Sequence, residues 1–131
     1  MNAERDLVFV YGTLRRGASN HFRMAGAEFV AAGTVLGRIY RIDWYPGLVL
    51  DAGGDWIHGE VYAVREELLT ALDVFEGVSA NEVDGAEYRR VRAEVQTAGG
   101  GCLVAWVWEW LGQVEETSAI PGGDWLAVDA G

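Results

Sequence analysis

The run Leu7-Val8-Phe9-Val10-Tyr11 is apolar, β-branched and aromatic, and it breaks at Gly12. It reads as a buried first strand that hands over at a fixed point to a tight loop. Thr13-Leu14-Arg15-Arg16-Gly17 follows. Gly12 and Gly17 let the backbone turn sharply and aim its N–H groups at one point, so the loop can hold a carboxylate or a developing oxyanion. It lacks both Gly-x-x-x-x-Gly-Lys-Ser/Thr and Gly-x-Gly-x-x-Gly, so nucleotide binding is not supported.

Beyond the loop, Ser19-Asn20 is placed to cap a short helix over His21 to Ala25. Phe29 to Ile42 reads as one or two strands bent at Gly33 or Gly37. Tyr45-Pro46-Gly47 is a turn, Leu48 to Leu50 a short strand, and Asp51 to Asp55 a hairpin turn. Trp56 to Val64 alternates as a strand. The spacing of Leu68, Leu72 and Phe75 predicts a helix over Arg65 to Phe75, with Glu66 and Glu67 in its first turn and Gly77 ending it. Val78 to Glu87 is polar and acidic and reads as an exposed loop. Tyr88 to Thr97 and Cys102 to Trp110 form an antiparallel hairpin pattern. Many strands, one or two helices and no βαβ alternation predict an α+β fold: a small, mostly antiparallel barrel with the helix against it.

The 131 residues fit a single domain, 1–131, and half of them are hydrophobic, so the chain has material for a core. No apolar run approaches the ~20 residues of a membrane span, and the charged first residues carry no signal-peptide pattern. Cys102 is the only cysteine, which excludes an internal disulfide and points to a reducing, cytoplasmic setting. Beside Leu103 and Val104 it is expected to be buried. The net charge of −10 argues against nucleic-acid binding. That charge is uneven: residues 1–40 carry five Arg against three acids, a net +2, and the rest five Arg against seventeen acids, a net −12. The glycine loop therefore lies in the one net-basic stretch. No lysine is present, which removes Schiff-base chemistry.

Glu76 is the leading catalytic candidate. It follows Leu72 by four residues and Leu68 by eight, so it projects on the apolar side of the predicted helix. It also sits at the helix C-terminus, where the macrodipole disfavours negative charge. Both effects raise a carboxyl pKa toward the range useful to a general base. Arg15 and Arg16 can attract an acidic substrate or simply face solvent. His21 and His58 are too scattered for a metal site. Trp106, Trp108 and Trp110 share one strand face and either pack the core or line a pocket. Trp44, Tyr45 and Trp125 lie near glycines and are placed to border a cavity.

Taken together, three signatures resemble the γ-glutamylcyclotransferase-like family, in particular its small bacterial branch related to γ-glutamylamine cyclotransferases. The first is Val8 to Gly17 with Asn20-His21 behind it. The second is Gly59-Glu60-Val61-Tyr62 leading to Leu72-Asp73-Val74-Phe75-Glu76-Gly77. The third is Tyr88-Arg89-Arg90 with the late Gly123-Asp124-Trp125. The resemblance implies a mixed barrel with its active site at one mouth. It implies that Tyr11, Gly12, Thr13 and Leu14 bind a γ-glutamyl group, largely through backbone, that Glu76 is the catalytic acid/base, and that Tyr88 lies by the pocket. The implied reaction is cyclisation of a small γ-glutamyl substrate to 5-oxoproline with release of an amine, without cofactor or metal. The expected state is a monomer or weak homodimer, with no nucleic-acid or membrane partner. Two other readings stay open at this point: a non-catalytic small-carboxylate binder in the same pocket, and an interaction protein using its Trp-rich strand.

Overall fold

Six segments of the chain become strands. The computed structural model describes residues 5–77 and 87–129. The strands are β1 (Asp6–Val10), β2 (Glu28–Arg41), β3 (Pro46–Leu50), β4 (Asp55–Val64), β5 (Tyr88–Thr97) and β6 (Cys102–Trp110). Five of them close a ring in the order β1–β4–β2–β5–β6 and back to β1. Neighbours are antiparallel except at the closure, where β6 meets β1 in parallel through Val8 and Trp106. The extra strand, β3, pairs with the second half of β2 and touches β6 at Leu48 and Glu109. The mixed barrel expected from the sequence is the fold observed.

Two buried clusters explain why β1 is apolar at every position from Leu7 to Val10. Phe9 and Tyr11 point into the barrel with Val35, Ile57, Val61, Val107 and Trp125. Val8 and Val10 point outward and are covered with Tyr62, Val64, Leu69, Leu72 and Trp108. A strand buried on both faces reads as a continuous hydrophobic run rather than an alternating one. The cover is α1 (Glu66–Phe75), one residue shorter than predicted; its buried residues are Leu69, Leu72 and Asp73, so its inner face lies slightly round from the expected Leu68–Leu72–Phe75 stripe. Each such apolar side chain contributes roughly 1.5–3 kcal/mol when removed from water. The helix ends as predicted: Gly77 takes φ +81°, a conformation that favours glycine, and its N–H donates to Val74 O.

Several local expectations are corrected. Asp51 to Asp55 does form a turn, but not a hairpin: β3 and β4 lie on opposite sides of β2 and both run antiparallel to it. The chain crosses over β2 at Gly37, and a Cβ on Gly54 would lie 2.3 Å from Gly37 O. The irregularity in β2 falls between Phe29 and Ala31, not at a glycine. His21–Met24 is a 3-10 turn that Asn20 does not cap; the Asn20 side chain accepts from Arg23 instead. Cys102 is exposed rather than buried, its thiol beside Glu94 at the turn end of the β5–β6 hairpin. Trp125, at the start of α2 (Trp125–Asp129), does not line the cavity described below; it is fully buried inside the barrel. No described helix is long and apolar enough to cross a membrane. The predicted acidic loop from Val78 falls outside the described residues except for Glu87.

Candidate active site

The loop after β1 is held from behind. The carbonyls of Gly12, Thr13 and Leu14 accept from Arg15 N, Asn20 N and His21 Nδ1 at 3.1, 2.8 and 2.9 Å. The N–H groups of the same three residues have no acceptor among the described residues. With the carbonyls taken up on one side, these donors are left for a ligand. Gly12 is required by packing: a Cβ there would lie 2.6 Å from Pro46 Cγ.

Neither Arg15 nor Arg16 lines the cavity described below, and the Arg15 guanidinium is taken up within the fold. Arg15 is largely buried; Nε donates to Glu60 Oε2 at 2.6 Å and Nη1 to Asp124 Oδ1 at 2.7 Å. The Arg16 N–H donates to Glu60 Oε1 at 2.9 Å. One guanidinium thus ties the loop to β4 and to the segment before α2. This joins the first, second and third sequence signatures at one point. Burial alone would push the Asp124 carboxyl up, but Arg15, together with the Leu126 N–H and His58, outweighs it and holds the group below its ordinary range.

Glu76 stands across from the loop. It and Tyr11, Gly12, Thr13 and Leu14 line one cavity of about 230 Å³, together with Trp44, Tyr45, Tyr88, Glu87 and Trp108. None of the described lining residues is cationic. Desolvation in this wall, reinforced by the charges of Asp73 and Glu87, pushes the Glu76 carboxyl from 4.5 up to about 8. The raised proton affinity expected from helix position is therefore present, and burial is its main cause. Gly77 and Phe75 border the same space.

The two tyrosines frame the cavity with their rings and spend their hydroxyls on structure. Tyr11 Oη donates to Trp108 O at 2.7 Å and accepts from Leu48 N at 3.1 Å. Tyr88 Oη donates to Pro46 O at 2.7 Å. Burial raises both phenols well above their ordinary range, and the Glu76 charge adds to it. Both stay protonated and serve as fixed walls. Of the tryptophans, Trp108 and Trp44 line the cavity and Trp125 does not. Sequence reasoning missed Pro46, the brace between loop and Tyr88, and Asp73. The signal for Asp73 was a charged residue beside Leu69 and Leu72 on the inner face of α1.

The arrangement pairs one poorly hydrated carboxyl with a row of main-chain donors across a small cavity. That is the equipment for moving a proton while a carbonyl oxygen or carboxylate is held. The comparison with known proteins points the same way. The profile of the family described as Gamma-glutamyl cyclotransferase, AIG2-like matches residues 8–127. A relative from Vibrio cholerae that carries the γ-glutamylcyclotransferase name is 37% identical over 121 residues, 91% of this chain and 94% of that one. The human γ-glutamylaminecyclotransferase is 40% identical over 86 residues, 56% of this chain and 55% of its own. The crystal structure of an AIG2-like protein from Mus musculus superposes with a TM-score of 0.72 at 26% identity, covering 88% of this chain and 82% of that one. The chain belongs to the γ-glutamyl cyclotransferase, AIG2-like family of enzymes.

Proposed function

We propose that this protein cyclises a small γ-glutamyl amide or amine to 5-oxoproline and releases the free amine, an intramolecular acyl transfer. The single observation that carries the reading is that Glu76 and the Gly12–Leu14 loop, whose amides have no acceptor among the described residues, line one cavity with no cationic side chain in its described lining. The substrate's α-amine attacks its own γ-carbonyl carbon, and a five-membered ring closes. Folding the substrate into this small space converts part of the barrier into binding. Glu76 takes the proton that the α-nitrogen must lose and passes it to the leaving nitrogen as the old C–N bond breaks. The loop amides hold the carbonyl oxygen while it carries charge, or the substrate carboxylate. A carboxyl raised to about 8 is a far stronger base than an ordinary carboxylate, which suits it to take a proton from an α-ammonium. A cytoplasmic setting fits the one cysteine, which is unbridged.

The test is a panel of γ-glutamyl amino acids and γ-glutamylamines scored for 5-oxoproline by mass spectrometry. Glu76→Gln keeps the fold and lowers turnover by roughly a thousandfold or more. In the parent enzyme kcat/KM rises with pH through about 8, the value of the free carboxyl. The corresponding limb in kcat lies lower, because a bound ammonium favours the carboxylate. Saturable binding of these compounds without product, or a Glu76→Gln enzyme near the parent rate, refutes the reading.

A further inference from the structure

Asp73 lies one helical turn before Glu76, on the same side of α1, and it is only 2% exposed. Its Oδ1 accepts from Arg90 Nε and from Trp108 Nε1, each at 2.9 Å, and Oδ2 accepts from Arg90 Nε at 3.2 Å. Arg90 is on β5, two residues after Tyr88, and its guanidinium rests 4.3 Å from the Trp106 ring centre. Trp108 is on β6; its indole lines the cavity and its carbonyl accepts from Tyr11. One buried carboxylate therefore fastens the last turn of α1 to the two strands that carry the opposite wall.

Among the described residues Asp73 makes the only side-chain hydrogen bonds and ion pair of the ten-residue helix, so removing this joint would leave its end to apolar packing and the contact of Arg23 with the Phe75 ring. We propose that Asp73 is a positioning residue that fixes where Glu76 stands and how tightly it holds its proton. This rests on Glu76 being the acid/base. The charged group of α1 nearest to it is Asp73; Glu87 approaches from the start of β5; Tyr11, Tyr45 and Tyr88 face it as neutral phenols. Arg90 pairs with Asp73 at 2.9 Å without itself lining the cavity. The Asp73 charge thus acts on Glu76 through the protein interior, where screening is weak.

Two variants separate the holding role from the charge. Asp73→Asn keeps an oxygen for Trp108 or Arg90 and removes the negative charge. It lowers kcat roughly tenfold and moves the acid limb of kcat/KM to lower pH by about half a unit or more. Arg90→Lys keeps the charge balance but loses the shared guanidinium bond. It lowers kcat several-fold and leaves that limb in place. A folded Asp73→Asn enzyme whose limb stays at the parent value overturns the proposal. If the Asp73→Asn chain does not fold, an Arg90→Lys enzyme with parent kcat overturns it instead. A Glu76→Gln enzyme that still turns over would sink the Glu76 reading itself, whatever the Asp73 variants do. An inactive Glu76→Gln enzyme beside an unshifted Asp73→Asn enzyme would sink only this one.

Discussion

Two acidic arrangements flank the same loop, and they are wired in opposite ways. Behind the loop, Glu60 and Asp124 converge on the single guanidinium of Arg15, with bonds of 2.6 and 2.7 Å. In front of it, Glu76 meets no cation among the cavity's described lining. The first arrangement uses charge to fix geometry: its carboxylates are held as acceptors, and Asp124 lies below its ordinary pKa. The second leaves a carboxyl uncompensated, and its proton affinity rises to about 8. Within one small barrel, then, partnered acids build the support and the acid without a cation holds its proton more tightly. The same contrast recurs within α1, where Asp73 has Arg90 and Glu76, three residues on, has no such partner among the described residues.

The largest break comes from removing the hub of the supporting side. Arg15→Gln leaves Glu60 and Asp124 short of a cation in a partly desolvated place. The expected cost is about 3 kcal/mol, since losing one partner strands the other charge. For a chain of this size that is a fall in Tm of roughly 10 °C in a melting scan. KM rises roughly tenfold, because the loop donors lose their backing while Glu76 is untouched. A variant that melts with the parent and keeps its KM would show that the ion pairs are incidental.

The next effect is steric. Gly12→Ala puts a Cβ 2.6 Å from Pro46 Cγ, too close for either to stay. Overpacking of this kind costs about 2 kcal/mol and displaces the loop from the wall that Tyr88 braces. A loss of roughly tenfold or more in kcat/KM is expected. Adding Pro46→Ala removes the obstructing ring, so the double variant recovers much of the loss. No recovery would place the fault in the loop's own conformation rather than in its contact.

What is legible in the sequence follows the same division. Strands and helix are readable because each is a run of residues with its own periodicity. The loop and Glu76 are readable because both sit at element ends, where Gly12, Gly17 and Gly77 punctuate the chain. The crossover at Gly54 is not, because a turn motif does not say which partner the next strand chooses. Arg15 reads as a solvated or substrate-facing cation because its two acceptors lie 45 and 109 residues away. Cys102 reads as buried from its apolar neighbours, but it opens β6 at the hairpin end, where it stays exposed. Trp125 reads as a cavity residue for its nearby glycines, whereas its ring fills the barrel.

The smallest effect is the most specific to Glu76. Its folded pKa, about 8, lies above the 4.5 of the unfolded chain. Between those values the folded protein binds more protons than the unfolded one. Stability from this group is therefore fully present below about pH 4.5 and is lost as pH rises through 8. Glu76→Gln has no proton to lose, so its stability does not carry this decline. The two proteins melt together near pH 5, and the variant becomes the more stable by about 2 kcal/mol at pH 9. Glu76 is only partly buried as a residue, so this is a discounted share of the ~5 kcal/mol that the full shift would give. Melting curves of both proteins from pH 5 to 9 measure the difference directly. Parallel curves over that range would mean that Glu76 ionises as a solvated surface acid, and the contrast with the Arg15 cluster would vanish with it.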